Sequence, residues 1–318
     1  MNKKKVGIIV GVAIVALVGV FVATKLGSKE TGEKKGETIT ITHTAGETEV
    51  PKNPKKVVVL DYASLDIMDS MEIEGVVGLP QKSLPTYLSD YKSDKYEDLG
   101  GLKEFNLEKI NELDPDLIII EGRQADYYDE LSAIAPTIQL GTDSKNYLKS
   151  LESNVNKIGK IFDKEDVATS KLKELNERVE VVGKKVKDKG SNALATIVTD
   201  GSMSVYGAGS RFSIIFNEFG FVPTDANIEV SNHGQNITYE YLLAKNPDYL
   251  LVVDKAAGTS GSEDYSAAKE VIENDLVKTI DAYKNGNIVY LNSQDWYVGG
   301  AGLKAADLII ADMEAIVK

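Results

Sequence analysis

Cysteine does not occur in this 318-residue chain. Its absence excludes disulfide staples, a cysteine nucleophile and attachment through a lipidated N-terminal cysteine, and it fits a protein that works outside the cytosol without disulfides. Histidine is nearly as scarce, with only His43 and His233. Two are too few for a receptor of bare Mn²⁺ or Zn²⁺, which usually has several His among its ligands. No Gly-x-Ser-x-Gly elbow accompanies them, so no nucleophile–base arrangement stands out. Arginine supplies three of the 36 basic residues: Arg123, Arg178 and Arg211. Where lysine serves solubility, a rare arginine points to a place that needs a planar, multi-donor guanidinium.

Acid is abundant. The formal net charge is −13, and the first 36 residues hold seven lysines against two glutamates, so the rest of the chain is more acidic still. Such a surface argues against nucleic acid as a partner. One long apolar run exists. Lys3, Lys4 and Lys5 precede residues 6–23, which carry no charge, and a helix of that length rises roughly 27 Å, close to a bilayer's hydrocarbon core. The basic cluster favours an N-in, C-out orientation. A cleaved signal peptide is the alternative, but the run is long for one, and Phe21 before Ala23 makes a poor cleavage site. The expectation is a cytoplasmic stub and uncleaved transmembrane anchor over residues 1–24 and a flexible linker over 25–36. The binding domain then lies on the extracellular side of the cytoplasmic membrane, as in a Gram-positive bacterium.

The remaining residues, about 280, exceed the usual size of a single core, so two lobes are expected. Apolar runs of strand length at 38–42, 57–60, 76–78 and 117–120 alternate with helical-period segments at 64–71 and 107–113. A second series has strands at 193–198, 249–253 and 287–291 and helices at 212–219, 239–245 and 303–317. That alternation reads as α/β with largely parallel sheets. Residues 147–187 read as mostly helix, with Gly159 the only early breaker. The expected domains are an N-terminal α/β lobe at 37–163, an inter-lobe helix at 164–188 and a C-terminal α/β lobe at 189–318.

An internal echo relates the lobes. Glu108 lies seven residues before Pro115, and Glu240 seven before Pro247. Each proline opens a Pro-Asp turn into an apolar strand, and eight residues beyond each comes a cation, Arg123 or Lys255. Ligands bind at the carboxyl ends of strands in open α/β sheets. Arg211 follows the loop Tyr206-Gly-Ala-Gly-Ser210 and opens a helix, a place suited to an anion. Arg123, Arg211 and Lys255 are thus candidates for a cationic pocket, whereas Arg178 reads as a surface residue and His43 as surface or packing. His233 lies in the polar loop Ser231-Asn-His-Gly-Gln235. Trp296 and Tyr297 precede Gly299, Gly300 and Gly302, and either contact ligand or edge the core under the last helix.

Several segments together resemble a known family: Val50-Pro51-Lys-Asn53-Pro54, Asp114-Pro115-Asp116, Asn232-His233-Gly234-Gln235, Asn246-Pro247-Asp248 and Trp296-Tyr297. Over nearly all of residues 38–318 the chain resembles class III substrate-binding proteins of ABC importers, in the subgroup for ferric catecholate siderophores of the petrobactin and enterobactin type. The resemblance implies two Rossmann-like lobes joined by one long helix, with ligand in the cleft between them. It implies that Arg123, Arg211 and Lys255 face an anionic iron–catecholate, with Lys255 standing where the subgroup has a third arginine. His233 and Tyr297 would bind Fe(III) when a tetradentate siderophore leaves two positions open, and Trp296 would line the pocket. Phenolate and imidazole are acceptable ligands for ferric iron. Glu108 and Glu240 match the two glutamates that dock on permease arginines.

The implied protein is a monomeric receptor and not an enzyme. It holds no permanent cofactor, takes an Fe(III)–siderophore as cargo, and has an ABC-importer permease and the membrane as partners. Haem or cobalamin on the same fold is the alternative cargo, and an anchored hydrolase with acidic catalytic residues a more distant one.

Overall fold

The structure, a computed structural model, describes residues 36–317 other than 144, 232 and 261–263. Residues Gly36–Lys318 form one compact unit. It opens with an antiparallel hairpin, β1 (Thr38–His43) and β2 (Gly46–Pro51). His43 packs inward there, its Nε2 paired with Thr48 Oγ1 at 2.8 Å.

The first sheet contains β3 (Val57–Val59), β4 (Val76–Leu79), β5 (Glu97–Asp98), β6 (Leu117–Ile120) and β7 (Thr137–Gln139). All are parallel, in the order β5-β4-β3-β6-β7. The two-residue period of a strand distributes their side chains. Val57, Val59, Leu117 and Ile119 enter one core, and Val58, Leu60, Ile118 and Ile120 enter another on the opposite face. Burial on both faces is why these strands read as unbroken apolar runs.

The second sheet holds β8 (Asn192–Thr199), β9 (Ser202–Tyr206), β10 (Val222–Pro223), β11 (Gln235–Ile237), β12 (Tyr249–Asp254) and β13 (Ile288–Tyr290). Its order is β11-β9-β8-β12-β13, with β10 beside β8. The expectation of largely parallel strands fails at β9 and β11, which run antiparallel to their neighbours. A tight turn at Asp200 and Gly201, both at positive φ, sends β9 back along β8.

The echo has a common geometry. Glu108 and Glu240 lie in the first turns of helices Leu107–Glu112 and Tyr239–Lys245, capped by Asn106 and Thr238. Asp114 and Asn246, each before its proline, adopt left-handed φ values of 48° and 43°. The aspartate after each proline then receives backbone N–H groups at the start of a neighbouring strand: Lys55 and Lys56 donate to Asp116, and Asn192 to Asp248.

Between the sheets run helices Tyr147–Ile161 and Glu165–Lys189. The break falls at Asp163, φ 52°, and not at Gly159. Gly159 stays helical, and a Cβ there would come within 3.1 Å of Ala168 Cβ, so its bareness lets the two helices pack closely. The last helix, Leu303–Ile316, packs on Glu165–Lys189 and on Tyr62–Ser70 of the first lobe. Arg178, expected at the surface, is a tie in this packing, bonded to both Glu314 and Asp307. One hydrophobic core consequently runs through both lobes.

The expected fold class requires a correction. The anchor expected at residues 1–24 and the linker up to residue 35 lie outside the described residues. Among the described residues no helix is long and apolar enough to cross a membrane. The helix Glu165–Lys189 buries a stripe from Ala168 to Val186, and its remaining faces are mostly polar and rich in lysine and glutamate. The described residues form two α/β lobes with a connecting helix and include no transmembrane helix.

Candidate functional site

Two adjoining cavities open between the lobes. The outer one, about 390 Å³, is lined by Lys82, Lys103 and Arg123 from the first lobe and by Arg211 and Tyr297 from the second. Among the described residues Glu104 is the only acid in its lining. On a chain of net charge −13, four cations around one cleft form a local anion trap. The inner cavity, about 190 Å³, continues beneath and shares Arg123, Arg211 and Tyr297. Its floor includes Asp61, Glu121, Asp295 and Trp296.

Strand ends deliver several of these groups. Arg123 lies just beyond β6, where its Nη1 donates to Glu121 Oε1 at 2.7 Å. Arg211 lies beyond β9, its guanidinium 4.3 Å from the centre of the Tyr297 ring, and its Nη2 donates to the Tyr297 carbonyl at 3.2 Å. Such stacking suits a guanidinium and fixes its plane. Tyr297 sits in a helical turn, Gln294–Val298, beyond β13. That turn is tied to the first lobe: Thr86 N and Oγ1 both donate to Gln294 Oε1 at 2.9 Å, and Tyr147 Oη donates to the Gly300 carbonyl.

Trp296 packs at the core edge under the last helix. It is 6% exposed and its Nε1 donates to Asp312 Oδ2 of the last helix at 2.8 Å, yet it also borders the inner cavity. Lys255 begins helix Lys255–Ser260 directly after β12. It does not line either cavity; Thr259, one turn later, borders the outer one. His233 is exposed on the loop before β11, also outside both linings. Arg123, Arg211, Trp296 and Tyr297 are therefore brought together, and Lys255 and His233 are not brought to that cleft.

Asp61 caps helix Tyr62–Ser70, accepting from Ala63 N and Ser64 N. Burial, and then the neighbouring Glu121 charge, push its pKa up to about 6. Sequence reading passed over Asp61 and Glu121, although each immediately follows an apolar parallel strand, the rule that selected Arg123 two residues on. Lys82 and Lys103 carried no such signal among so many lysines. Among the described residues no cluster of three or more His, Cys, Asp or Glu side chains that could hold a metal ion occurs.

The periplasmic binding protein family model matches residues 57–294. The petrobactin-binding protein YclQ of Bacillus subtilis is 45% identical over 94% of this chain and 96% of its own. Its crystal structure superposes with a TM-score of 0.85, covering 89% of this chain and 99% of that one. The ferric-anguibactin-binding protein FatB of Vibrio anguillarum is 30% identical over 86% of each chain. The periplasmic catecholate-siderophore binding protein VctP of Vibrio cholerae is 38% identical, with a TM-score of 0.82 over 88% of this chain and 100% of its own.

Proposed function

This chain belongs to the periplasmic binding protein family, and we propose that it binds an Fe(III)–siderophore of the catecholate type outside the cytoplasm and delivers it to the permease of an ABC importer. It is a binding protein and not an enzyme, and the iron complex is its cargo. The observation that carries the reading is the convergence of Arg123 and Arg211, two of the chain's three arginines, on one cleft that Lys82 and Lys103 also line. A ferric catecholate is a bulky anion with aromatic faces; cations take its charge, and the rings of Tyr297 and Trp296 offer apolar contact. The lobes of residues 37–163 and 189–318, joined by 164–188, hold it between them. Lys255 and His233 join the site through the family resemblance alone. The relatives named above carry petrobactin, ferric anguibactin and a catecholate siderophore in their names, which favours ferric siderophore over haem or cobalamin.

The test is a fluorescence and calorimetric titration. Ferric catecholate should quench Trp296 with a sub-micromolar endpoint, whereas Mn²⁺, Zn²⁺ and haem should not. Neither quenching nor heat with any ferric siderophore would reject the reading. Tyr297→Phe and His233→Ala should weaken a tetradentate complex far more than a hexadentate one, since only the former leaves iron positions open. Equal losses would reduce both residues to shaping the pocket.

A further inference from the structure

Glu121 is a carboxylate where an anion receptor should not want one. It follows β6 directly and accepts from Arg123 Nη1. Its side chain is 19% exposed against 37% for Arg123, so the acid lies on the inner side of the pair. Asp61, buried beyond the adjacent strand β3, lines the inner cavity with it. By charge alone, both acids oppose an anion in the cleft above.

Orientation accounts for what charge does not. Arginine has many rotamers, and ordering them on binding weakens affinity. A fixed carboxylate that engages one edge of the guanidinium leaves the other N–H groups free to meet the cleft. The turn that carries the pair is itself clamped. Gln124 is fully buried; its Oε1 accepts from Glu121 N at 3.1 Å, and its Nε2 donates to the Leu102 carbonyl at 2.5 Å. Leu102 adjoins Lys103, so this clamp ties together two of the three segments that give first-lobe cations to the cleft.

We propose that Glu121 is a positioning residue for Arg123, preorganising its guanidinium for the anionic cargo. The inference rests on the siderophore reading above. Charge and orientation predict opposite signs: if Glu121 acts only as a repelling charge, its removal tightens binding, and if it orients Arg123, removal weakens binding.

The probe is the ferric complex of 2,3-dihydroxybenzoate, titrated calorimetrically into the full chain. Glu121→Ala should bind about tenfold more weakly, a loss of roughly 1.4 kcal/mol, while Glu121→Gln, which keeps an acceptor oxygen, should recover most of it. In an Arg123→Ala background Glu121→Ala should cause no further loss, which a general structural role would not produce. Binding by Glu121→Ala as tight as native, or an undiminished loss without Arg123, overturns the proposal. If Glu121→Ala does not fold, Glu121→Asp keeps the charge but retracts the acceptor, and unchanged affinity would again overturn it. Failure of the native chain to bind rejects the siderophore reading and the inference with it. Native binding that Arg123→Ala leaves intact rejects only the inference and the role of Arg123.

Discussion

Asp66 and Gly302 belong to different lobes, yet they are so close that a Cβ on Gly302 would collide with the Asp66 carboxylate. The contact is functional for the fold. Asp66, on helix Tyr62–Ser70, accepts from the N–H groups of Lys304 at 2.7 Å and Ala305 at 2.8 Å. It thereby supplies from the first lobe the N-terminal cap that Leu303–Ile316 lacks in its own sequence. The glycine is bare so that the carboxylate can approach.

Asp66→Ala should therefore destabilise the protein by about 1–3 kcal/mol, since it orphans one buried and one partly buried N–H group. Gly302→Ala should cost about as much through overpacking, with the cap residue intact. Denaturant unfolding of both variants checks this. Native-like midpoints would mean that the lobes are held by the hydrophobic core without this link.

The same residue makes stability depend on pH. Burial pushes the pKa of Asp66 up to about 6, although its backbone partners pull it down; Asp61 is also raised to about 6. A carboxyl whose folded pKa lies above its unfolded value near 4 favours the protonated state on folding. Its contribution is fully present below the unfolded value and is lost as pH rises through 6. Asp225 is held near 2 by Lys245 and acts only at lower pH. Burial holds His43 below its ordinary value, which opposes the two carboxyls over this interval, but with two groups against one the melting temperature should rise slightly between pH 7.5 and pH 5. Asp66→Asn should flatten that rise, and a melting temperature that falls over this interval would contradict it.

Glu108 and Glu240 are exposed in the first turns of two equivalently capped helices, one in each lobe. If they dock on the permease, the double change to Ala should abolish siderophore-dependent iron uptake. Ferric catecholate affinity and the melting temperature should stay close to native, because solvent screens exposed helix carboxylates and leaves them little weight in stability. Uptake at the native rate would remove both residues from the docking surface.

The sequence by itself determined the two α/β lobes, the buried strands 57–60, 117–120 and 249–253, and the twin Glu–Pro-Asp units. Those features are local: periodicity, a proline stop and a strand-end residue are all written within some twenty positions. Arginine scarcity marked Arg123 and Arg211 for the same reason, since rarity is visible without coordinates. Tertiary structure decided which marked residues meet. Arg178 ties the connecting helix to the second lobe because Asp307 and Glu314, more than a hundred residues away, face it from the last helix. Arg123 lines both cavities, whereas its sequence counterpart Lys255 lies outside their linings, at the start of the helix that brings Thr259 to the outer one. Glu121, Lys82, Lys103 and the Asp66 cap became visible only where chain packing set distant segments side by side. Burial and proximity are properties of that packing, and a single sequence does not encode them position by position.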